Sequence, residues 1–234
     1  MKEIVRLHKV IKEYGKGAVK VRALRDLDLL ITSGELVAVA GPSGSGKSTL
    51  LNLIGGLDRP TSGQVVVDGT ETGALSRSAL SRLRLHKIGF VFQAYNLIPV
   101  LTAYENAEYV MMLQGKPWAE RRQRVMGLLQ TVGLEGLEHR YPRELSGGQQ
   151  QRVAIARALA SEPALVLADE PTANLDSKTA AALLDLMVQL NQQKGATFLF
   201  STHDSAVVAR AKRRILLKDG QIADDSSGAF WREA

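Results

Sequence analysis

Cysteine is absent from this 234-residue chain, which excludes disulfide scaffolds, zinc fingers and thiolate-bound iron–sulfur clusters. The absence agrees with a reducing compartment. No stretch approaches the ~18 apolar residues that a membrane-spanning helix needs. The start, Met1-Lys2-Glu3-Ile4-Val5-Arg6, lacks the apolar centre of a signal peptide. The chain is therefore expected to be soluble, with any membrane crossing left to another chain. Internal repeats and low-complexity tracts are missing as well. Acid is in deficit: 30 Lys and Arg against 24 Asp and Glu leave a formal charge of +6. Such an excess suits nucleic acid, anionic lipid or nucleotide. The basic residues are interspersed with acids, however, and the densest cluster, Ala211-Lys212-Arg213-Arg214, reads as a solvated helix end. Charge selects no partner.

At 45% hydrophobic the chain can bury a sizeable core, and its length fits one large domain or one domain with a small lobe. Its most informative stretch is Gly41-Pro42-Ser43-Gly44-Ser45-Gly46-Lys47-Ser48-Thr49, placed between the apolar runs Leu36–Ala40 and Leu50–Ile54. A buried strand, a glycine loop and a helix start form a phosphate-binding loop. The glycines let backbone N–H groups turn inward around an anion, and the helix adds unpaired N–H groups and the positive end of its dipole. Lys47 is expected to reach terminal phosphates and the Ser48 hydroxyl to ligate Mg²⁺. The plain alternative is a Gly/Ser-rich surface turn.

Upstream, residues 3–10 alternate as a half-buried strand and Val19–Ile31 forms a second extended region. Ser33-Gly34 turns into the loop strand. An antiparallel flap is thus expected before the phosphate loop. Tyr14, in a charged segment, is either a packing residue or a stacking platform. Downstream come the strand Gln64–Val67, a hairpin at Asp68-Gly69, a polar helix from Ser76 to about Lys87, and the apolar strand Ile88–Phe92 ending on Gln93. Residues 94–143 carry helices at Tyr104–Leu113 and Trp118–Val132 without a strand, a helical insertion. Alternation then resumes: helix Gly148–Ser161, strand Ala164–Ala168, a helix over 178–190, strands Thr197–Phe200 and Ile215–Leu217, and a hairpin at Asp219-Gly220. This order implies a mostly parallel sheet covered on both faces. Ser226 to Ala234, with Phe230 and Trp231, reads as a loosely held tail.

Asp169-Glu170 end a buried strand, beside the crevice where a nucleotide lies in such a sheet. Asp169 is placed to hold Mg²⁺ through water and Glu170 to polarise an attacking water. The alternative is a pair of acids capping a strand. His203 and Gln93 also follow strands; a neutral imidazole there suits a γ-phosphate contact, and Gln93 suits Mg²⁺ or water. Leu145-Ser146-Gly147-Gly148-Gln149 opens a helix with a serine and two glycines, a second anion site without a lysine. Two such starts in one chain imply a nucleotide shared between two chains.

Together these stretches resemble the nucleotide-binding subunit of the ATP-binding cassette (ABC) transporter family, over nearly the whole chain. Gly41–Ser48 is similar to its Walker A loop, Ala164–Glu170 to Walker B, Leu145–Gln149 to the signature motif, Gln93 to the Q-loop and His203 to the switch histidine. Asn174-Leu175-Asp176 resembles the D-loop, and Tyr14 falls where the family stacks an aromatic on adenine. The resemblance implies an α/β fold, a P-loop NTPase (RecA-like) core with an N-terminal antiparallel β subdomain and an inserted α-helical subdomain. The expected division is 1–93 with 156–234, and 94–155 for the helical subdomain. It also implies ATP and Mg²⁺ as cofactors and a head-to-tail homodimer. Residues 41–49 with Tyr14, Gln93, Ser146, Gly147, Gly148, Gln149 and Asp176 would bind ATP. Ser48, Gln93 and Asp169 would serve the metal, and Lys47, Glu170 and His203 catalysis.

Gly55–Gly63, Ile88–Gln93 and Leu167–Thr172 are similar to the subgroup of LolD, MacB and antimicrobial-peptide-resistance ATPases, whose members drive a membrane partner by dimer closure. Ala173 departs from the glycine usual there. The implied setting is the cytoplasmic face of the inner or plasma membrane, bound to a separate permease and not to nucleic acid. A regulatory cell-division ATPase on the same cassette remains an alternative. Tyr95–Pro99 either offers the permease an apolar surface or packs within the lobe.

Overall fold

The structure is a computed structural model describing residues 2–16 and 19–226. In chain order its elements are β1 (Glu3–Lys16), β2 (Val19–Thr32), β3 (Leu36–Ala40), α1 (Lys47–Ile54), β4 (Ser62–Val67), β5 (Thr70–Glu71), α2 (Arg77–Lys87), β6 (Ile88–Phe92), α3 (Ala103–Leu113), α4 (Trp118–Thr131), α5 (Gly147–Ala160), β7 (Leu165–Asp169), α6 (Ser177–Lys194), β8 (Phe198–Thr202), α7 (Ser205–Arg210), β9 (Arg213–Lys218) and β10 (Gln221–Asp225). Of the expected tail at 226–234, Ser226 pairs with Arg214 beside β9, and residues 227–234 lie outside the described residues.

Two sheets form. One is antiparallel in the order β2-β1-β4-β5; the other runs β10-β9-β3-β8-β7-β6. In the second, all neighbours are parallel except β10 on β9. The side-chain period of 2 divides its residues between two cores. Val37, Val39, Leu165 and Leu167 face α1 and the antiparallel sheet, together with Ile4, Leu7 and Leu27. Ala38, Ala168, Phe198 and Phe200 face the helical side. There Met111 of α3, Val125 and Leu129 of α4, Ile155 of α5 and Leu183 of α6 join one continuous cluster. Each such fully buried aliphatic contributes on the order of 1.5–3 kcal/mol. The insertion at 94–143 is helical as expected, with α5 leading back to the sheet. α5 lies so close to β6 that a Cβ on Gly89 would sit 2.4 Å from the Ala158 carbonyl oxygen.

Two details correct the sequence reading. Arg213 and Arg214 begin β9 instead of ending a helix. Arg213 reaches Glu35 at 2.9 Å and Asp225 at 2.7 Å, and donates to the Leu30 carbonyl. Burial weakens its positive charge, but the two carboxylates outweigh that and raise its pKa. Of the two alternatives at Tyr95–Pro99, internal packing holds for Leu97, which lies against the helical core. The backbone of Ile98 is fastened there by the fully buried Asn106, whose amide oxygen accepts from Ile98 N at 2.8 Å and whose Nδ2 donates to the Ile98, Leu101 and Thr102 carbonyls.

One carboxylate fastens the β4–β5 turn to the end of α2, just before β6. Asp68, in the β4–β5 turn, meets Lys2 at 2.5 Å and Lys87, the last residue of α2, at 2.8 Å. Bonding to Lys2 and then to Lys87 holds its carboxyl below the model-compound value of 3.8. A depressed carboxylate stabilises the fold above its unfolded pKa, and this is lost as pH falls through the folded value. Asp68→Asn should therefore lower the unfolding free energy by about 1 kcal/mol at neutral pH, the lysines being largely solvated. Urea titrations of both proteins should show that gap constant above roughly pH 4 and vanishing below it.

Candidate functional site

The phosphate loop connects β3 to α1. Gly46, the residue before the helix, has φ +106°, and a Cβ there would lie 2.6 Å from the Ala23 carbonyl oxygen, so only glycine fits. A Cβ on Gly41 would come within 2.1 Å of the Leu217 carbonyl oxygen. Between them the chain curls over itself, and Lys47 Nζ donates to the carbonyls of Gly41 at 2.7 Å and Pro42 at 3.0 Å. Ser43, Gly44, Gly46, Lys47, Ser48 and Thr49 line a cleft of about 300 Å³ with Ala23 and Glu170. A buried ammonium satisfied by backbone carbonyls can exchange those acceptors for phosphate oxygens without a net loss of partners. The plain surface-turn alternative does not account for this cradle.

Two strand ends, those of β7 and β8, supply the polar groups around it. Asp169 is the last residue of β7, and its Oδ1 lies 3.4 Å from Ser48 Oγ. One carboxylate and one hydroxyl converging beside a phosphate cradle make a hard oxygen set, which fits Mg²⁺ completed by phosphate and water oxygens. No group of three or more His, Cys, Asp and Glu side chains that could hold a metal occurs among the described residues. Glu170 follows at φ +46°, a conformation that costs a side chain of its kind of order 1–3 kcal/mol. Its N–H donates to the Ser201 carbonyl at 2.9 Å. Its carboxylate is held on both oxygens: His203 Nδ1 is 2.8 Å from Oε1, and the Thr202 hydroxyl donates to Oε2 at 3.3 Å. Nδ1 is the ring atom that meets the carboxylate, so Nε2 of the exposed ring is not engaged by Glu170. The pair is thus more than a strand cap.

Tyr14, near the end of β1, is exposed at 41% and presents its ring beside α1. Its hydroxyl donates to Asp58 Oδ2 at 2.8 Å, and Lys12 Nζ sits 4.7 Å from the ring centre. Burial pushes the phenol pKa up, Asp58 adds to this, and the Thr49 hydroxyl opposes it. Asp58 is itself held below the usual carboxylate range: burial alone would raise it, but Lys12, the Arg59 N–H and Tyr14 prevail. Asp58 and Lys12 escaped sequence reasoning because their partners lie 44 and 46 residues apart in the chain.

Ser146–Gln149 does not line the cleft. Ser146 caps α5: its hydroxyl accepts from Gln149 N at 3.3 Å, and the Gln149 side chain accepts from Ser146 N at 2.8 Å. Gly147 lies under the Tyr95 hydroxyl, 2.8 Å from where its Cβ would be, and Gly148 abuts Thr179. Asp176 caps α6 through Lys178 N and Thr179 N, and the Thr179 hydroxyl and N–H lower its pKa. Gln93 follows β6, and its carbonyl accepts from Asn174 Nδ2 at 2.9 Å. One chain therefore gathers residues 41–49, Asp169, Glu170 and His203, with Tyr14 at the far end of the cradle, and leaves 146–149 outside. Thr202 and Tyr95 were also missed. Thr202 stands next to His203, a signal that was available; nothing in the sequence links Tyr95 to Gly147.

Residues 24–173 match the family described as ABC transporter. The chain is 48% identical over 225 residues to the lipoprotein-releasing system ATP-binding protein LolD 1 of Rhodopseudomonas palustris, covering 95% of this chain and 100% of that one. It is 47% identical to the macrolide export ATP-binding/permease protein MacB of Escherichia coli over 97% of its own length, but spans 35% of that fused protein. The ATP-binding cassette MJ0796 of Methanocaldococcus jannaschii, solved as a post-hydrolysis dimer with ADP and Pi, is 46% identical and superposes at a TM-score of 0.86, with 95% of this chain and 97% of that one covered. Cradle, strand-end acids and relatives agree, and the chain belongs to the ABC transporter family as one of its ATP-binding, ATP-hydrolysing subunits.

Proposed function

We propose that two copies of this chain close head to tail on ATP and that the closure drives a membrane permease of the LolD/MacB type. The observation that carries this is the division of the site: a cleft complete in phosphate cradle and general base, with the second anion-binding helix start left outside it. The partner copy supplies Ser146, Gly147, Gly148 and Gln149 to the γ-phosphate side, and Asp176 lies at the seam. The adenine stacks on Tyr14, whose ring is oriented by Asp58. Lys47 trades the Gly41 and Pro42 carbonyls for phosphate oxygens, and the N–H groups of residues 43–49 take the rest. Ser48, Asp169 and Gln93 would hold Mg²⁺, which when bound would neutralise phosphate charge. Glu170 accepts the proton of the attacking water, and His203 fixes the Glu170 carboxylate and offers Nε2 towards the γ-phosphate side. The dimeric MJ0796 cassette supports the shared-site arrangement.

The permease side of the reading rests on an apolar groove of about 380 Å³ between the sheet and the helical lobe, lined by Leu57, Leu85, Phe90, Phe92 and Val110 together with Arg84 and Arg157. No helix among the described residues is long and apolar enough to cross a membrane. LolD 1, matched over its full length, is named as part of a lipoprotein-releasing system. In this reading the chain sits at the cytoplasmic face of the inner or plasma membrane, with the division into 1–93 plus 156–234 and 94–155 marking the two bodies whose seam is the groove.

Two measurements test these roles. Glu170→Gln should bind ATP with near-parental affinity, lose turnover by about a hundredfold or more, and accumulate as a dimer on gel filtration with ATP; unchanged turnover overturns the assignment. Leu57→Glu, placing a charge in the groove, should abolish co-purification of the permease while ATP binding stays intact, and undiminished co-purification counts against the groove.

A further inference from the structure

The segment between β6 and the helical lobe is held by side chains from elsewhere to an unusual degree. Of the five carbonyls from Phe92 to Asn96, four accept from distant residues. Gln151 Nε2 donates to Phe92 O at 3.4 Å and to Pro171 O at 2.8 Å, and Asn174 Nδ2 donates to Gln93 O at 2.9 Å. Arg157 takes the last two, with one guanidinium nitrogen on Asn96 O at 2.5 Å and the other on Tyr95 O at 2.9 Å. Those two residues are consecutive and left-handed, with φ of +59° for Tyr95 and +49° for Asn96. Tyrosine enters that region only when its surroundings compel it. Arg157 has no carboxylate within ion-pair distance among the described residues, and burial lowers its pKa, so its charge is answered by these two carbonyls.

The turn matters because of where it sends Tyr95. The phenol crosses to the first turn of α5, with its hydroxyl 2.8 Å from the position of a Cβ on Gly147. Arg157, Phe92 and Asn96 also line the permease groove. One guanidinium thus borders the groove and holds the turn whose tyrosine lies against the first turn of α5.

We propose that Arg157 is a positioning residue for the shared ATP site: by bridging the Tyr95 and Asn96 carbonyls it keeps Tyr95 seated on Gly147 and presents the Ser146–Gln149 helix start for dimer closure. This rests on the shared-site reading above. A lysine keeps the charge but not the planar fork that spans both acceptors. A glycine at 96 holds φ +49° without side-chain strain.

The test uses the full chain in the Glu170→Gln background. Sedimentation velocity gives the protein concentration for half-dimerisation with ATP, fluorescent-nucleotide titration gives monomer affinity, and thermal unfolding gives Tm. Arg157→Lys should raise the half-dimerisation concentration about tenfold, the equivalent of 1.4 kcal/mol, with ATP affinity within about twofold of the parent. Adding Asn96→Gly should recover most of the loss. The proposal is overturned if Arg157→Lys dimerises like the parent, if ATP affinity and Tm fall in step with dimerisation, or if Asn96→Gly restores nothing. A parent that stays monomeric with ATP overturns the shared-site reading and this proposal with it, and is distinguished by failing before any Arg157 change.

Discussion

The parallel sheet is buried on both faces, and that constraint decides where every charged group of the site can be. Within β3, β7 and β8 no charged side chain is possible in the strand interiors, because one face meets α1 and the antiparallel sheet and the other meets α5 and α6. Charge first becomes affordable at the carboxyl edge. Asp169 is the last residue of β7, Glu170 the next, His203 follows β8, Gln93 follows β6 and the phosphate loop follows β3. Parallel strands bring these ends to one rim, so residues far apart in the chain converge.

The rim also stores strain. Glu170 and the Tyr95–Asn96 pair are non-glycine residues at positive φ, each held by bonds from other elements: Ser201, Thr202 and His203 in one case and Arg157 in the other. A side chain held off its preferred backbone conformation has fewer alternative positions, so these groups are pre-oriented before a nucleotide arrives. The helical lobe shares a core with the sheet through α5.

Much of this was legible beforehand. The phosphate loop, the strand-end acids and the helix start at Ser146 depend on local features: glycines needing positive φ or close approach, apolar runs of strand length, and a serine followed by two glycines. The hairpins at Asp68-Gly69 and Asp219-Gly220 were visible for the same reason. Arg213 was misread, since a run of basic residues gives no hint that Glu35 and Asp225 will meet it inside the fold. Only the fold set Asp58 beside Tyr14 and Lys12.

The sequence by itself determined the family, the order of strands and helices, and the chemistry of the cradle, because these rest on short-range spacing and backbone preference. Only the tertiary structure decided that Glu170 is clasped by His203 and Thr202, that Leu97 turns inward, that the Ser146 helix start stands outside its own chain's cleft, and that Arg157 reaches the Tyr95 turn. Those depend on which surfaces meet across sheet and lobe, and such meetings are set by the packing of the whole core instead of by any residue's neighbours along the chain.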